Sequence, residues 1–360
     1  MNRLTSLDFF RGATVACMIM VNDPGNWSIK YDQLSHAEWE GCTFTDLIFP
    51  FFLFIVGVSV SFAYGKALAK GRERKELLWK AAKRTAIIFG IGLFLNLFPY
   101  FNFSELRIPG VLQRIALVFF FCSIAFLYLR KSSQYFLFGE ILIGYYVLLM
   151  YVPVPGIGPA NLEPINNFTA WFDRLILEGY IGKSGQGQYD STGIFTTIPA
   201  IASGLVGVFV GHLLSSKKLT ENEQLIWLFV AGAFSMLAGW AFSFEFPMIK
   251  RLWTSTYVLY SSGIALLSFA TIYWFLDVQR FRKGTQPFLA FGMNALTAYI
   301  VAALIGRVTS ITGFKGWVYE NILTSILDPY NASFAYSILN TLFIFIGIWW
   351  MYKKDIVIKV

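Results

Sequence analysis

Two histidines occur in the chain, and one of them, His36, lies in a polar stretch, 22–50, set between two apolar runs. The same stretch carries Asn22, Asp23, Glu40 and Asp46. Imidazole changes charge nearest to neutral pH of all side chains, which suits it to moving protons. A lone loop histidine is most often only solvated. Asp46 shifts that balance, because a carboxylate can orient one ring N–H and leave the other nitrogen free as a base. Asp46 also has a plainer reading, as a carboxylate favoured by the dipole at a helix N-terminus. His212, in VFVGHLLSSKK, falls at the end of an apolar run and reads as an interfacial residue.

Other polar groups sit where apolar ones are expected. Arg3, Asp8 and Arg11 open the first run as RLTSLDFFRG; Asp8 and Arg11 are spaced to pair on one helix face, or serve as an interface anchor. Arg107 and Arg114 lie in RIPGVLQR, where Pro109 and Gly110 suit a helix start. Arg114 falls one turn into the apolar run, so its guanidinium needs a carboxylate, Glu105 or Glu140, or a polar ligand. Trp253 and Ser255 in RLWTSTYVL and Asn294 in FGMNALTAY are polar groups at helix positions, either packing glue or part of a site. Eight basic residues between 66 and 84, among them Lys80, Lys83 and Arg84, form a basic loop that suits a phosphate-rich cofactor, anionic lipid and membrane topology equally. Cys17, Cys42 and Cys122 are scattered, so neither a disulfide framework nor a metal cluster is expected. No P-loop, G-x-S-x-G, H-E-x-x-H or G-x-G-x-x-G motif occurs.

The elements that must position these residues are membrane helices. Of 360 residues, 56% are hydrophobic and only 14% charged, too few charges for a solvated surface all round. Apolar runs long enough to span a bilayer lie near 6–22, 47–65, 84–100, 110–129, 134–152, 194–214, 225–243, 256–276, 287–305 and 333–351. The expectation is an all-α, polytopic integral membrane protein of about ten helices. Glu140, inside the fifth, is not expected to face lipid. Placing both termini in the cytoplasm puts 20 of the 29 Lys and Arg on that side, so N-in and C-in is the orientation, with His36 outside. The net charge of +8 is explained by those loops, and nucleic acid is not an expected partner. Three long connections, 23–46, 153–193 and 306–332, then share the outer face and predict a lidded site. The middle one holds a short amphipathic piece, Phe168–Leu177. Neither a cleavable signal peptide, a repeat nor a soluble domain is evident, so 1–360 reads as one transmembrane domain.

In order along nearly the whole chain, LDFFRG, VND, HAEWEGCTFTDLIFPFFLFIVG, RIPGVLQRIA, YDSTGIFTTIPAI, LWTSTYVL and GMNALTAY resemble the heparan-α-glucosaminide N-acetyltransferase family and its bacterial members. The opening R…D…RG is similar to the wider transmembrane acyltransferase superfamily. The resemblance implies transfer of acetyl from cytosolic acetyl-CoA to the amino group of a glucosamine-type sugar on the far side of a bacterial inner membrane. His36 matches the family's catalytic histidine, and Asn22 and Asp46 match polar residues of the same site. On this reading Arg11, Lys80, Lys83, Arg84 and Asn294 face the cofactor, and Trp39, Glu40, Arg107, Arg114, Trp253 and Ser255 face the acceptor; no metal is required. The chain departs from animal members in lacking their large N-terminal lumenal domain and in carrying Glu40 where they have asparagine, which leaves a heparan-sized acceptor open. His212 has no counterpart in the motif. Expected partners are the amino sugar, acetyl-CoA and lipid, with a homodimer as a further candidate.

His36 can accept the proton that the attacking amine must lose, or carry the acetyl group transiently on its ring. Asn22 can donate to the developing oxyanion. The competing readings are O-acylation of a glycan or lipid, transport of amino sugars or cell-wall fragments, and a structural membrane subunit.

Overall fold

The computed structural model describes residues 4–182 and 187–358; Arg3 lies outside them. Thirteen helices follow in order: α1 Thr5–Asn22, α2 Phe44–Ala69, α3 Arg74–Leu97, α4 Val111–Tyr128, α5 Lys131–Tyr151, α6 Phe168–Ile176, α7 Thr197–Leu214, α8 Glu221–Phe242, α9 Ser255–Tyr273, α10 Gln286–Met293, α11 Ala295–Ile311, α12 Phe314–Trp317 and α13 Pro329–Lys353. Among the described residues there is no strand, only two isolated bridges. The expected all-α membrane architecture holds.

All ten apolar runs are helical, but they are not ten equal spans. Seven helices are long and apolar enough to cross a membrane, or eight if α10 and α11 form one broken span. The ninth run, expected to be continuous, bends by 84° at Asn294. Asn294 leaves helical geometry there, and its side chain turns to the C-terminal tail, donating to the Ile356 carbonyl at 2.9 Å and accepting from the Ile358 N–H at 3.1 Å. The basic stretch is not a loop either. Lys66 belongs to the last turn of α2, and Arg74 to Arg84 form the first three turns of α3, so the charges project from a helical hairpin closed by 70–73.

Packing follows from residue size. α2 lies at the centre, against α1, α4, α7 and α9. It approaches α7 backbone to backbone: a Cβ on Gly57 would sit 1.9 Å from the Gly204 carbonyl oxygen, and one on Gly207 2.0 Å from that of Phe54. Lipid tails supply no hydrophobic drive between helices, so such close contact replaces it. The same device joins α1 to α10, where Gly12 lies on the Phe288 carbonyl and Gly292 on that of Asp8. This explains the glycines of FFRG and FGMN. α5 and α8 are outermost, presenting Ile143, Phe234 and Trp240. Glu140 is also exposed on α5, contrary to expectation, and Arg114 takes neither it nor Glu105 as partner.

Gly207→Val should therefore lower the melting temperature of detergent-purified protein markedly, since overpacking costs about 1–3 kcal/mol even without a backbone clash. Gly90→Ala, whose new Cβ meets nothing within 4 Å, should leave it unchanged or raise it. Equal shifts in the two variants would mean that α2 and α7 are not in contact at Gly207.

Candidate active site

The site is built around the first two turns of α2. Thr43 precedes the helix, and Asp46 folds back on it, Oδ2 accepting from the Thr43 N–H at 3.1 Å and from the Ala37 N–H at 3.0 Å. Oδ1 faces the Nδ1 of His36 at 2.8 Å. The helix-terminal and catalytic readings of Asp46 are thus the same interaction, because the carboxylate that caps α2 is the one that holds the imidazole. Four residues on, Pro50 has no N–H, so the Asp46 carbonyl lacks its usual helical partner. The buried hydroxyl of Tyr257 on α9 supplies the missing bond at 2.6 Å. Asp46 is completely buried, while the His36 side chain remains 49% exposed. The pair is a buried carboxylate behind a solvent-facing ring.

A third titratable group joins them, one that no reading of the sequence proposed. Lys250 Nζ lies 2.9 Å from His36 Nδ1 and 3.0 Å from Asp46 Oδ1. It comes from the turn between α8 and α9, which is latched to the His36 loop by the Gly41 N–H donating to the Met248 carbonyl at 2.8 Å. Packing around His36 pushes its pKa below the ordinary histidine value; the hydrogen bond to Asp46 opposes this, and the Lys250 charge adds to it. Burial holds the Cys42 thiol protonated, with its pKa pushed up to about 12, so it is no rival nucleophile.

Beside this centre stands an aromatic wall. Trp39 donates its indole N–H to the Leu162 carbonyl, meets Tyr189 edge-on at 5.7 Å, and lies under Arg251, whose guanidinium bonds the Tyr189 hydroxyl at 2.5 Å. Glu40 is exposed next to it, without a hydrogen-bond partner among the described residues. Arg107 is spent on Asp190, through Nε at 2.7 Å and Nη2 at 2.6 Å, and clamps the long middle connection over the start of α4. α6, within that connection, matches the amphipathic piece read from sequence.

In the first turn of α4, Arg114 is fully buried between Trp253 and Phe49, with ring centroids at 4.9 and 5.9 Å. Its Nη2 bonds Thr196 and the Gly193 carbonyl, while Nε and Nη1 have no hydrogen-bond partner among the described residues. Trp253 bonds Ser203 and Ser255 bonds the Leu142 carbonyl, so both act as packing groups here. Asn22, at the exposed end of α1, makes no hydrogen bond to His36, Asp46 or Lys250 among the described residues. Its neighbour Asp23 is buried, bonded to Lys315 at 2.5 Å and Asn340 at 2.9 Å, which fixes the end of α1.

The residues expected at the cofactor lie at the opposite end of the bundle and do not form one cluster. Arg11 bonds Asp8 at 3.0 Å and Ser59 at 2.8 Å, and reaches the Gly292 carbonyl. Lys80 pairs with Glu76, Lys83 covers Trp79, and Arg84 lies over Phe119. His212 stacks on Phe126 and bonds Gln134. No group of three metal-ligating side chains occurs among the described residues.

The family described as heparan-alpha-glucosaminide N-acetyltransferase, catalytic, matches residues 3–240, a segment that includes His36, Asp46, Arg107 and Arg114. The chain belongs to this family. Heparan-alpha-glucosaminide N-acetyltransferase of Homo sapiens is 29% identical to it over 350 residues, covering 83% of this chain and 52% of its own length. The Mus musculus protein of that name is 26% identical over 351 residues, covering 83% and 53%. The chain spans about half the length of the curated relatives it matches. The matched segment supplies the ring and its carboxylate through His36 and Asp46, while the turn that carries Lys250 follows its end at residue 240.

Tyr257→Phe tests the framework. Leaving the Pro50-freed carbonyl unsatisfied should cost about 1–3 kcal/mol, read as a lower melting temperature. An unchanged melting temperature would show that Asp46 is not held from α9.

Proposed function

We propose that the protein is a transmembrane acetyltransferase that moves acetyl from acetyl-CoA on the cytoplasmic face to the amino group of a glucosamine-type sugar on the outer face. The observation that carries this reading is the His36–Asp46 pair at 2.8 Å, within the motif that resembles the family's histidine site. Family membership and the names of the human and mouse relatives support an N-acetyltransferase acting on a glucosaminide. The outer orientation rests on the basic residues, which crowd the end opposite His36.

The geometry supports direct transfer with His36 as the base. His36 Nδ1 is engaged by Asp46, which leaves Nε2 as the reacting nitrogen. The acceptor amine attacks the thioester carbon; the C–N bond forms and the C–S bond breaks. The amine proton passes to Nε2 and from there to the departing thiolate, so His36 serves as base and then acid. Asp46 stabilises the ring while it is charged. Trp39, with Tyr189 and Arg251, offers a flat face and a guanidinium for the sugar. Asn22 is assigned the oxyanion, which requires its side chain to turn toward the thioester carbonyl. For acetyl-CoA, Lys80, Lys83 and Arg84 supply the charge its phosphates need and Arg11 stands near the axis of the bundle, while Arg114 has two free donors for a carbonyl on the path between the ends. Loss of such a base costs about 10²–10⁴-fold in rate.

The broken helix at Asn294 favours a second reading, a transporter, because discontinuous helices are common in such proteins. Reconstituted vesicles separate the two. Glucosamine sealed inside with labelled acetyl-CoA outside should give labelled N-acetylglucosamine in the lumen. Both substrates outside should give none, whichever way the protein inserts. Glucosamine crossing unmodified without acetyl-CoA would replace the transferase with the transporter, and product formed with both outside would overturn the transmembrane scheme.

A further inference from the structure

Three polar atoms meet at the His36 centre at mutual distances of 2.8, 2.9 and 3.0 Å, and they cannot all be satisfied at once. Nδ1 of a neutral imidazole is a donor or an acceptor, not both. If it donates to Asp46, the Lys250 ammonium faces an N–H and bonds the carboxylate alone. If it accepts from Lys250, the ring proton moves to Nε2, the nitrogen that must be free to act as a base. We propose that Lys250 is a positioning residue of this centre, whose ammonium competes with Asp46 for Nδ1 and thereby keeps His36 neutral and governs which ring nitrogen carries its proton. The inference deepens the reading of His36 as the reacting imidazole and rests on it.

The surrounding structure is built to present this lysine. Its turn carries Trp253 in a left-handed conformation, φ +56°, a strained state for a bulky residue. The turn is held by the Trp253 N–H on the Lys250 carbonyl, the Ile249 N–H on the Thr254 hydroxyl, and burial of the Trp253 ring. Gly41, at φ +106°, closes the latch from the His36 side, a conformation that favours glycine. The Lys250 side chain is only 18% exposed, so it is not a solvated surface lysine. A tether alone needs the backbone latch and not an ammonium aimed at Nδ1.

The groups facing the ring and the lysine come from several elements. Asp46 on α2 favours a charged ring, while Lys250 and, farther off, Lys30 on the ring's own loop oppose it. Lys250 in turn faces Asp46, the Cys42 thiol and, from α4, Arg114. In the reaction this opposition has a use. Asp46 stabilises the imidazolium formed when the amine gives up its proton, and Lys250 makes that cation give the proton up again to the departing thiolate.

Diethyl pyrocarbonate, which acylates neutral imidazole, reads this directly. Its rate at His36 is followed by peptide mass spectrometry across pH, with no acetyl transfer involved. In Lys250→Met the midpoint should rise by about one pH unit, because a like charge beside the ring is removed. The rate above the midpoint should also rise, since Nδ1 is then free to donate to Asp46 and bare Nε2. Lys250→Arg should stay near the wild type. The acidic limb of kcat/KM should move with the midpoint in each active variant. Unchanged midpoints in Lys250→Met and Lys250→Gln would overturn the proposal and leave Lys250 as a loop tether. Should those variants fail to fold, the wild-type profile decides: a midpoint below that of an ordinary histidine, despite a carboxylate at 2.8 Å, is expected, and one above it overturns the proposal. Failure of acetyl transfer in the wild type would remove the transferase reading while leaving this titration interpretable.

Discussion

A carboxylate with no access to solvent organises this end of the molecule. Asp46 is fully buried at the mouth of α2, and an unpaired charge there would cost several kcal/mol. Its oxygens therefore draw donors from three directions: backbone N–H groups of Ala37 and Thr43, the ring of His36, and the ammonium of Lys250. Its carbonyl, released by Pro50, takes the hydroxyl of Tyr257. Each donor belongs to a segment that must then stay in place, the His36 loop, the turn before α9, and α9 itself. The geometry of the His36 centre and the packing of the helix mouths are consequences of one desolvated charge.

The placing of charged groups along the bundle follows from the same economy of polar groups. Charges in the apolar interior are few, and each has a partner or an aromatic cover: Arg11 with Asp8 and Ser59, Asp23 with Lys315 and Asn340, Arg114 between Trp253 and Phe49. Arg114 retains two donors without a hydrogen-bond partner among the described residues. Glycine contacts between α2 and α7, and between α1 and α10, let backbones approach and close the structure without polar groups. The break at Asn294 gathers the C-terminal tail, α10 and the start of α1 at the basic end.

Much of this was legible in the sequence. Apolar runs located every long helix, because the bilayer imposes a length that composition reveals. Asp46 and His36, ten positions apart in one polar stretch, could be paired by proximity and chemistry. Lys250 could not, since it stands 214 positions away in a turn whose shape depends on Trp253 adopting a left-handed backbone. The bend at Asn294 was hidden for a similar reason: its side chain bonds a tail more than sixty residues on. Arg107 looked available for a ligand only because its partner Asp190 lies in a long connection without periodicity. Periodicity speaks for helices; pairings between distant loops leave no such trace.

The claim on which the account turns is that His36 and Asp46 act as one unit in acyl transfer. A double-mutant cycle measures this most directly, using single-turnover acetyl transfer to glucosamine by purified protein shown to bind CoA. His36→Ala should lose about 10²–10⁴-fold, Asp46→Asn less, and the double variant no more than His36→Ala alone, because an orienting carboxylate has nothing left to orient. Transfer by His36→Ala at the wild-type rate, or losses that simply multiply in the double variant, would contradict the account.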